Sequence, residues 1–376
     1  MQSDWLLNPD ITFLNHGSFG ACPRPIFETY QRWQLELERQ PVEFMGRRYH
    51  DLMNAARQKL ADYINAAADD LIFVPNATVG INLVARSLKL QPGDVIVMTD
   101  HEYGAIHKTW EFIANKTGAE LCIKTMPLPL TDPQQVVDAL FDELPERTAV
   151  IAISHLTSPT AVILPIADIC QRARQQGILT VIDGAHAPGQ LPLDLAEIGA
   201  DFYTGNCHKW LCAPKGSGFL HARSEHHAML DPLVISWGWG WPDNTFVNAN
   251  QWQGTRDVAA YLSVPAAIEY QQAHDWPAVR ARCHKMAIET MHLINQLTGL
   301  PAIATDDFFA QMSLAALPPI DKEAFRAHLY DDYHIEVPIT QLGQTHEGPH
   351  YVRVSFQAYN TQADADHLLA ALADLL

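Results

Sequence analysis

From Asp94 onward the chain alternates short apolar runs with stretches whose apolar residues recur every three or four positions. The runs Asp94–Met98, Glu120–Lys124, Thr148–Ser154, Leu179–Asp183, Ala200–Tyr203 and Gly218–His221 predict strands, and residues 134–144 and 166–176 predict amphipathic helices between them. Strands separated by helices in this way predict a mostly parallel sheet covered on both faces. Earlier, an apolar stretch beginning at Leu71 passes through Pro75-Asn76-Ala77-Thr78 into a helix over residues 79–87. After Gly254-Thr-Arg-Asp257 the pattern changes to two long helices, over residues 258–274 and 276–297, and then to a shorter α+β tail. A second, smaller unit therefore starts in this region. No internal repeat, low-complexity tract or charged linker interrupts the chain.

Length and composition narrow the class. A chain of 376 residues with 48% hydrophobic content can bury a large core and fits one large domain plus a smaller one. The net charge of −18, with no basic stripe, argues against nucleic acid and against an anionic membrane surface as partners. The start Met1-Gln-Ser-Asp-Trp5 has neither the basic residues nor the apolar core of a signal peptide, and no run approaches the roughly 20 apolar residues that span a bilayer. A cytoplasmic location is the expectation. The six cysteines (Cys22, Cys122, Cys170, Cys207, Cys212 and Cys283) show no CxxC spacing and read as buried thiols.

The chemistry concentrates in two places. Asp183 closes the apolar run Leu179–Asp183, and Lys209 follows 26 residues later, past the next predicted strand. An aspartate after a strand is usually a turn or cap residue, and a single lysine is usually a solvated charge. Together at the carboxyl edge of a parallel sheet, where open α/β folds bind ligands, they suit pyridoxal phosphate. The amine can form a Schiff base with the aldehyde, and the carboxylate can keep the pyridine nitrogen protonated.

Several further motifs occur in the same order and spacing as in a known family. Asn76-Ala-Thr78, Asp183-Gly-Ala-His186, Cys207-His-Lys209, Gly254-Thr255 and Arg353-Val-Ser-Phe-Gln-Ala-Tyr-Asn360 resemble the class V aminotransferases, fold-type I enzymes that include cysteine desulfurases and isopenicillin N epimerase. The stretches Leu14-Asn-His-Gly-Ser-Phe-Gly20, Asp100-His-Glu-Tyr-Gly-Ala105 and Asp183-Gly-Ala-His-Ala-Pro-Gly189 are most similar to the isopenicillin N epimerase-like branch. The resemblance implies an α/β fold with a mostly parallel seven-stranded sheet. Residues 20–268 would form the large domain, and residues 1–19 with 269–376 the small one. It also implies a homodimer in which Gly254 and Thr255 complete the neighbouring subunit's phosphate site.

The resemblance assigns roles residue by residue. Asn76, Ala77 and Thr78 would meet the phosphate at a helix N-terminus, which on its residues alone is also an ordinary helix cap. Asn206 and His208 would add contacts to the phosphate or the lysine linkage, and Thr255 would contribute from across the interface. His101 and Tyr103 both follow a strand where the family stacks a ring on the cofactor, and only one can occupy that place. His186 would face the cofactor's phenolic oxygen. Arg353, on the strand-like Tyr351–Ser355, would be an inward charge needing a carboxylate, and a substrate α-carboxylate fits its two-pronged geometry. Asn15, His16, Arg47 and Arg48 are weaker substrate-side candidates. The aromatic loop 236–242 suits either the pocket or an interface.

Eighteen histidines and His101-Glu-Tyr-Gly-Ala-Ile-His107 raise a metal hydrolase as a rival, but the metalloprotease helix needs histidines four apart and Ala105 holds that position. No metal is expected. Desulfurases carry a nucleophilic cysteine shortly before the carboxylate-binding arginine, and residues 339–346 there contain none, which argues against persulfide chemistry. Epimerisation, C–S β-elimination and transamination stay open, since all begin with loss of the α-proton.

Overall fold

The computed structural model describes residues 2–241, 243, 245–342 and 349–376. A short strand β1 (Thr12–Phe13) opens the chain, and seven strands follow: β2 (Leu71–Val74), β3 (Val95–Thr99), β4 (Glu120–Lys124), β5 (Thr148–Ser154), β6 (Leu179–Gly184), β7 (Phe202–Asn206) and β8 (Gly218–Ala222). These seven form one sheet in the order β2-β8-β7-β6-β5-β3-β4. The pairs from β7 through β4 are parallel, and β8 runs antiparallel to both its neighbours.

Alternate residues of each strand serve opposite faces. Ile96 and Met98 pack with Val84, Ile106, Trp110 and Ile113 from the helices Ala77–Ser87 and Gly104–Thr117. Val97, Ile151, Ile153 and Ile182 join the other core with Met53, Leu60, Ile169 and Ala173. Both faces are thus buried, which explains why the central strands read as unbroken apolar runs.

β4 lies on one side of β3 and β5 on the other, so the connections reverse direction there. Such a reversal opens a crevice beyond the carboxyl ends of the strands. Thr99, Ser154, Asp183 and Asn206 all lie at or next to those ends.

Beyond the sheet, β9 (Met312–Leu317), β11 (Ile339–Gln341) and β12 (His350–Ser355) make a three-stranded antiparallel sheet, while β10 (Ile335–Glu336) pairs with β1. The N-terminal arm is stitched between them. Leu14 N–H donates to Glu336 O at 2.9 Å, and Ser355 N–H donates to Leu14 O at 2.9 Å. The arm then runs against the lysine loop at Gly20, whose φ is +69° and where a Cβ would lie 2.2 Å from His208 O. Only glycine fits that approach.

Three elements differ from the expectation. β2 sits at a sheet edge and was not among the predicted strands. The helix expected over 258–274 is two pieces, Ala259–Leu262 and Val264–Ala273, because Pro265 has no N–H to offer Tyr261 O. The helix expected over 134–144 is capped by Asp132 and ends at Phe141, just before Glu143 at φ +44°. Among the described residues, no helix is long and apolar enough to cross a membrane.

Candidate active site

A cavity of about 290 Å³ opens at the crevice. Asp183 is buried at the end of β6, its backbone paired with Ser154 on one side and Thr204 on the other. Its Oδ1 accepts the Ala185 N–H at 2.9 Å, which aims the carboxylate into the cavity floor. Burial raises its pKa, and the Lys209 charge opposes that rise. Lys209 sits in the turn after β7 with Nζ 3.0 Å from His186 Nε2. Burial, helped by the Arg353 charge, brings this amine down to about 7. At neutral pH it is therefore substantially uncharged, as a nucleophile or base must be. His186 is buried too and held well below its ordinary range, first by burial and then by Lys209 and Arg353.

At the cavity's other end Asn76 caps the helix Ala77–Ser87, its Oδ1 accepting the Val79 N–H at 3.0 Å. The Ala77 N–H donates to Asn206 Oδ1 at 2.8 Å. The cap reading of Asn76 is thus realised alongside the anion-seat geometry, since Ala77, Thr78, Asn206 and His208 all line the cavity at this helix N-terminus. His208 is oriented by its Nδ1–H donating to Ser217 O at 3.0 Å, and burial pushes its pKa down to about 4.

The structure places His101 and Tyr103 differently. Tyr103 is 48% exposed and lines the cavity, whereas His101 is buried behind it with Nδ1 3.0 Å from Thr160 Oγ1. Glu102, between them, turns inward. The Thr99 and Ser154 hydroxyls each lie 2.6 Å from one of its carboxylate oxygens, and burial with the nearby Asp183 charge raises it to about 7.

Arg353 on β12 is buried, with Nη2 3.2 Å from Ser18 Oγ and Nη1 bonded to Ser158 O. Ser18 and Ser158 both line the cavity. Its Nε has no partner, and no carboxylate among the described residues pairs with it. Asn15 is nearby but donates to Glu336 Oε1 at 2.9 Å and lines a separate groove. His16 is buried, with Nε2 3.1 Å from Lys209 O, so it braces the lysine loop rather than lining the cavity. Arg47 is exposed and Arg48 pairs with Glu36 at 2.6 Å. Gly254 and Thr255 also lie off the cavity wall, and Thr255 is exposed. In the aromatic loop Trp237 and Trp239 are exposed at 80% and 58%, while Pro242 and residues 343–346 lie outside the described residues.

The sequence reading did not single out Ser18, Phe19, Ser154, Ser158, Trp210 or Glu102. Ser154 ends a predicted strand and Trp210 follows Lys209, but their meeting in space depends on strand register. Among the described residues no group of three histidine, cysteine or acidic side chains could hold a metal. All six cysteines are free thiols, and none lines the cavity. A buried lysine whose pKa falls to about 7, a carboxylate beside it and a helix N-terminus lined by Thr78, Asn206 and His208 at the far end fit an aldehyde cofactor with a ring nitrogen and a phosphate.

Comparison with known proteins agrees. The family model for aminotransferase class-V matches residues 25–368. Isopenicillin N epimerase of Amycolatopsis lactamdurans is 36% identical, covering 98% of this chain and 96% of that protein. A probable chloroplastic L-cysteine desulfhydrase of Arabidopsis thaliana is 30% identical over 98% of this chain and 84% of its own length. Among solved structures, a C-DES mutant with glycine covalently linked to its PLP cofactor superposes with a TM-score of 0.84, at 22% identity and 97% coverage of both chains. That likeness concerns the fold.

Proposed function

This chain belongs to the class V aminotransferase family, pyridoxal phosphate enzymes of fold-type I, and on that premise we propose that it epimerises an amino acid, or an amino-acid-containing small molecule, at its α-carbon. The observation that carries the reading is the pairing of a near-neutral Lys209 amine with a buried Arg353 that has no carboxylate of its own. When bound, the cofactor supplies an electron sink for the α-carbanion. Lys209 would carry it, Asp183 would hold a proton on its ring nitrogen, and Thr78, Asn206 and His208 would hold its phosphate.

The protein's own groups account for the rest. Arg353 and Ser18 bind the substrate carboxylate and so fix which α-bond faces Lys209. Lys209 Nζ, whose pKa of about 7 leaves a large uncharged fraction near neutral pH, takes the α-proton on one side. Tyr103, on the cavity wall, is the candidate stacking ring and the candidate acid for the other side, the position that His101 does not reach. A cavity without a thiol fits a reaction that forms no enzyme persulfide. Thr255, exposed at the surface, is free to complete the phosphate site of a second copy in a homodimer.

Incubation with a panel of amino acids and cysteine conjugates in deuterated water tests the reading. Deuterium incorporation with inversion is expected. Pyruvate with a released sulfur species would instead make the enzyme a C–S lyase, and keto acid with an aminated cofactor would make it an aminotransferase. The lyase alternative is favoured by one observation, the likeness to the Arabidopsis desulfhydrase.

A further inference from the structure

Trp210 directly follows Lys209, is fully buried, and has no assigned part in the chemistry. Its Nε1 lies 3.3 Å from His186 Nδ1. An indole nitrogen only donates, so Nδ1 must be accepting and carries no proton. His186 is neutral. The groups facing it, Lys209 from the turn after β7, Arg353 from β12, His16 from the arm and His208, all disfavour a second charge, and burial disfavours it most. Asp183, at the end of β6, carries an opposing charge that acts on Lys209. A neutral imidazole has a single proton, which is therefore on Nε2, the nitrogen 3.0 Å from Lys209 Nζ. Lys209 accepts that hydrogen bond with its lone pair and is itself uncharged in this geometry.

We propose that Trp210 is a positioning residue that locks the tautomer of His186, so that the ring always presents a proton, never a lone pair, to Lys209 and to an oxygen of the bound cofactor on that side. Both partners of the lock are themselves fixed. Gln271 Nε2 donates to Trp210 O at 2.9 Å, and Gln190 Nε2 donates to His186 O at 2.9 Å. The loop after His186 is pressed against Trp210 at Gly189, φ +87°, where a Cβ would fall 2.3 Å from Trp210 O. The opposite tautomer would turn a lone pair toward Lys209, favouring the ammonium and repelling a phenolate oxygen.

This inference rests on Lys209 as the cofactor lysine, and the test separates the two. Histidine labelled with ¹⁵N in the cofactor-loaded protein, with His186 assigned through H186Q, reports which ring nitrogen bears the proton. Protonated Nε2 with bare Nδ1 is expected, and protonated Nδ1 overturns the lock. In W210F the tautomers should mix, and the pH midpoint of the cofactor's absorbance should move by about one unit, a tenfold change in proton affinity. In an H186Q background the same W210F change should leave the midpoint in place, because glutamine has no tautomer to lock. An equal movement in both backgrounds would show that Trp210 acts by packing, and would sink the proposal. Should W210F fold poorly, site-specific replacement of Trp210 by its benzothiophene isostere removes the N–H at almost unchanged shape, with the same expected shift. Failure of borohydride to fix pyridoxal phosphate on Lys209 would refute the cofactor assignment alone, leaving the tautomer measurement to stand or fall by itself.

Discussion

On the sheet side of the cavity each polar group is already held by the protein: Asp183 by the Ala185 N–H, Asn206 by the Ala77 N–H, Lys209 by His186, and Glu102 by two hydroxyls. Across from them Arg353 is equally buried, yet it has only serine partners and a bare Nε. Burying a cation without a counter-charge is costly. The first wall is a preformed seat whose geometry comes from strand register; the second is a charge that, under the proposed function, a substrate carboxylate would complete. The fold explains the contrast, since strands of one parallel sheet end side by side, whereas β12 belongs to a separate antiparallel sheet approached by the N-terminal arm.

The sharpest way to break this comparison is on the seat itself. Lys209→Ala removes the proposed base and anchor together, and turnover should fall by roughly 10⁴-fold or more. Lys215, whose Nζ donates to Gly20 O at 2.9 Å, is the internal control. Borohydride should fix the cofactor to Lys209, and recovery of the label on Lys215 would overturn the assignment. Next in size, Asp183→Asn preserves shape but cannot hold the ring proton, so the cofactor should stay while turnover drops by about 10²- to 10³-fold. Near-normal turnover would mean that another residue faces the ring nitrogen.

The second wall should respond in the opposite sense. Arg353→Met should raise KM for the amino acid by roughly 10- to 100-fold, the value of about 1.5–3 kcal/mol for hydrogen bonds to a charged group. Thermal unfolding of the substrate-free protein should be unchanged or shifted upward, because the substitution removes a buried charge that has no counter-ion and is costly to desolvate. A loss of about 3–5 kcal/mol instead would reveal a protein carboxylate pairing with Arg353.

The two walls also differed in how far they were legible from sequence. Asp183 closes the largely apolar run Leu179–Asp183, so its place at the carboxyl edge followed from the pattern, whereas the strand predicted over Ala200–Tyr203 continues through Thr204 and Gly205 to Asn206. Arg353 could be read as an inward charge on a strand, but nothing local told which groups would surround it. Whether His101 or Tyr103 faces the cavity depends on the direction of the turn after β3, which two neighbouring aromatic positions leave open. Glu102 and Trp210 escaped for a different reason. Their partners Ser154 and His186 lie 52 and 24 residues away and meet them only through the pairing of β3 with β5 and the packing of the lysine loop. The edge strand β2 escaped because four apolar residues before a turn do not distinguish strand from helix.

Glu102 offers the smallest effect on turnover, and it probes how crowded the seat is. Its carboxyl, at about 7 in the folded protein, lies above the ordinary value of 4.5 because of burial and the neighbouring Asp183 charge. The folded state therefore binds a proton that the unfolded chain releases between these two values. Stability from this group is fully present below about pH 4.5 and is lost as pH rises to about 7, a change of roughly 3 kcal/mol. The buried histidines work against it. His16 at about 3, and His155, His208 and His221 at about 4, are neutral where the unfolded chain would be protonated, so their contribution grows as pH rises toward 6.5. The total profile cannot isolate Glu102, but the difference between wild type and Glu102→Gln can. Chemical denaturation from pH 5 to 8 should show wild type losing stability relative to the variant as pH rises, while turnover stays within about tenfold. Parallel profiles would mean that Glu102 is ionised throughout, with its two hydroxyl partners sufficient to hold a second negative charge beside Asp183.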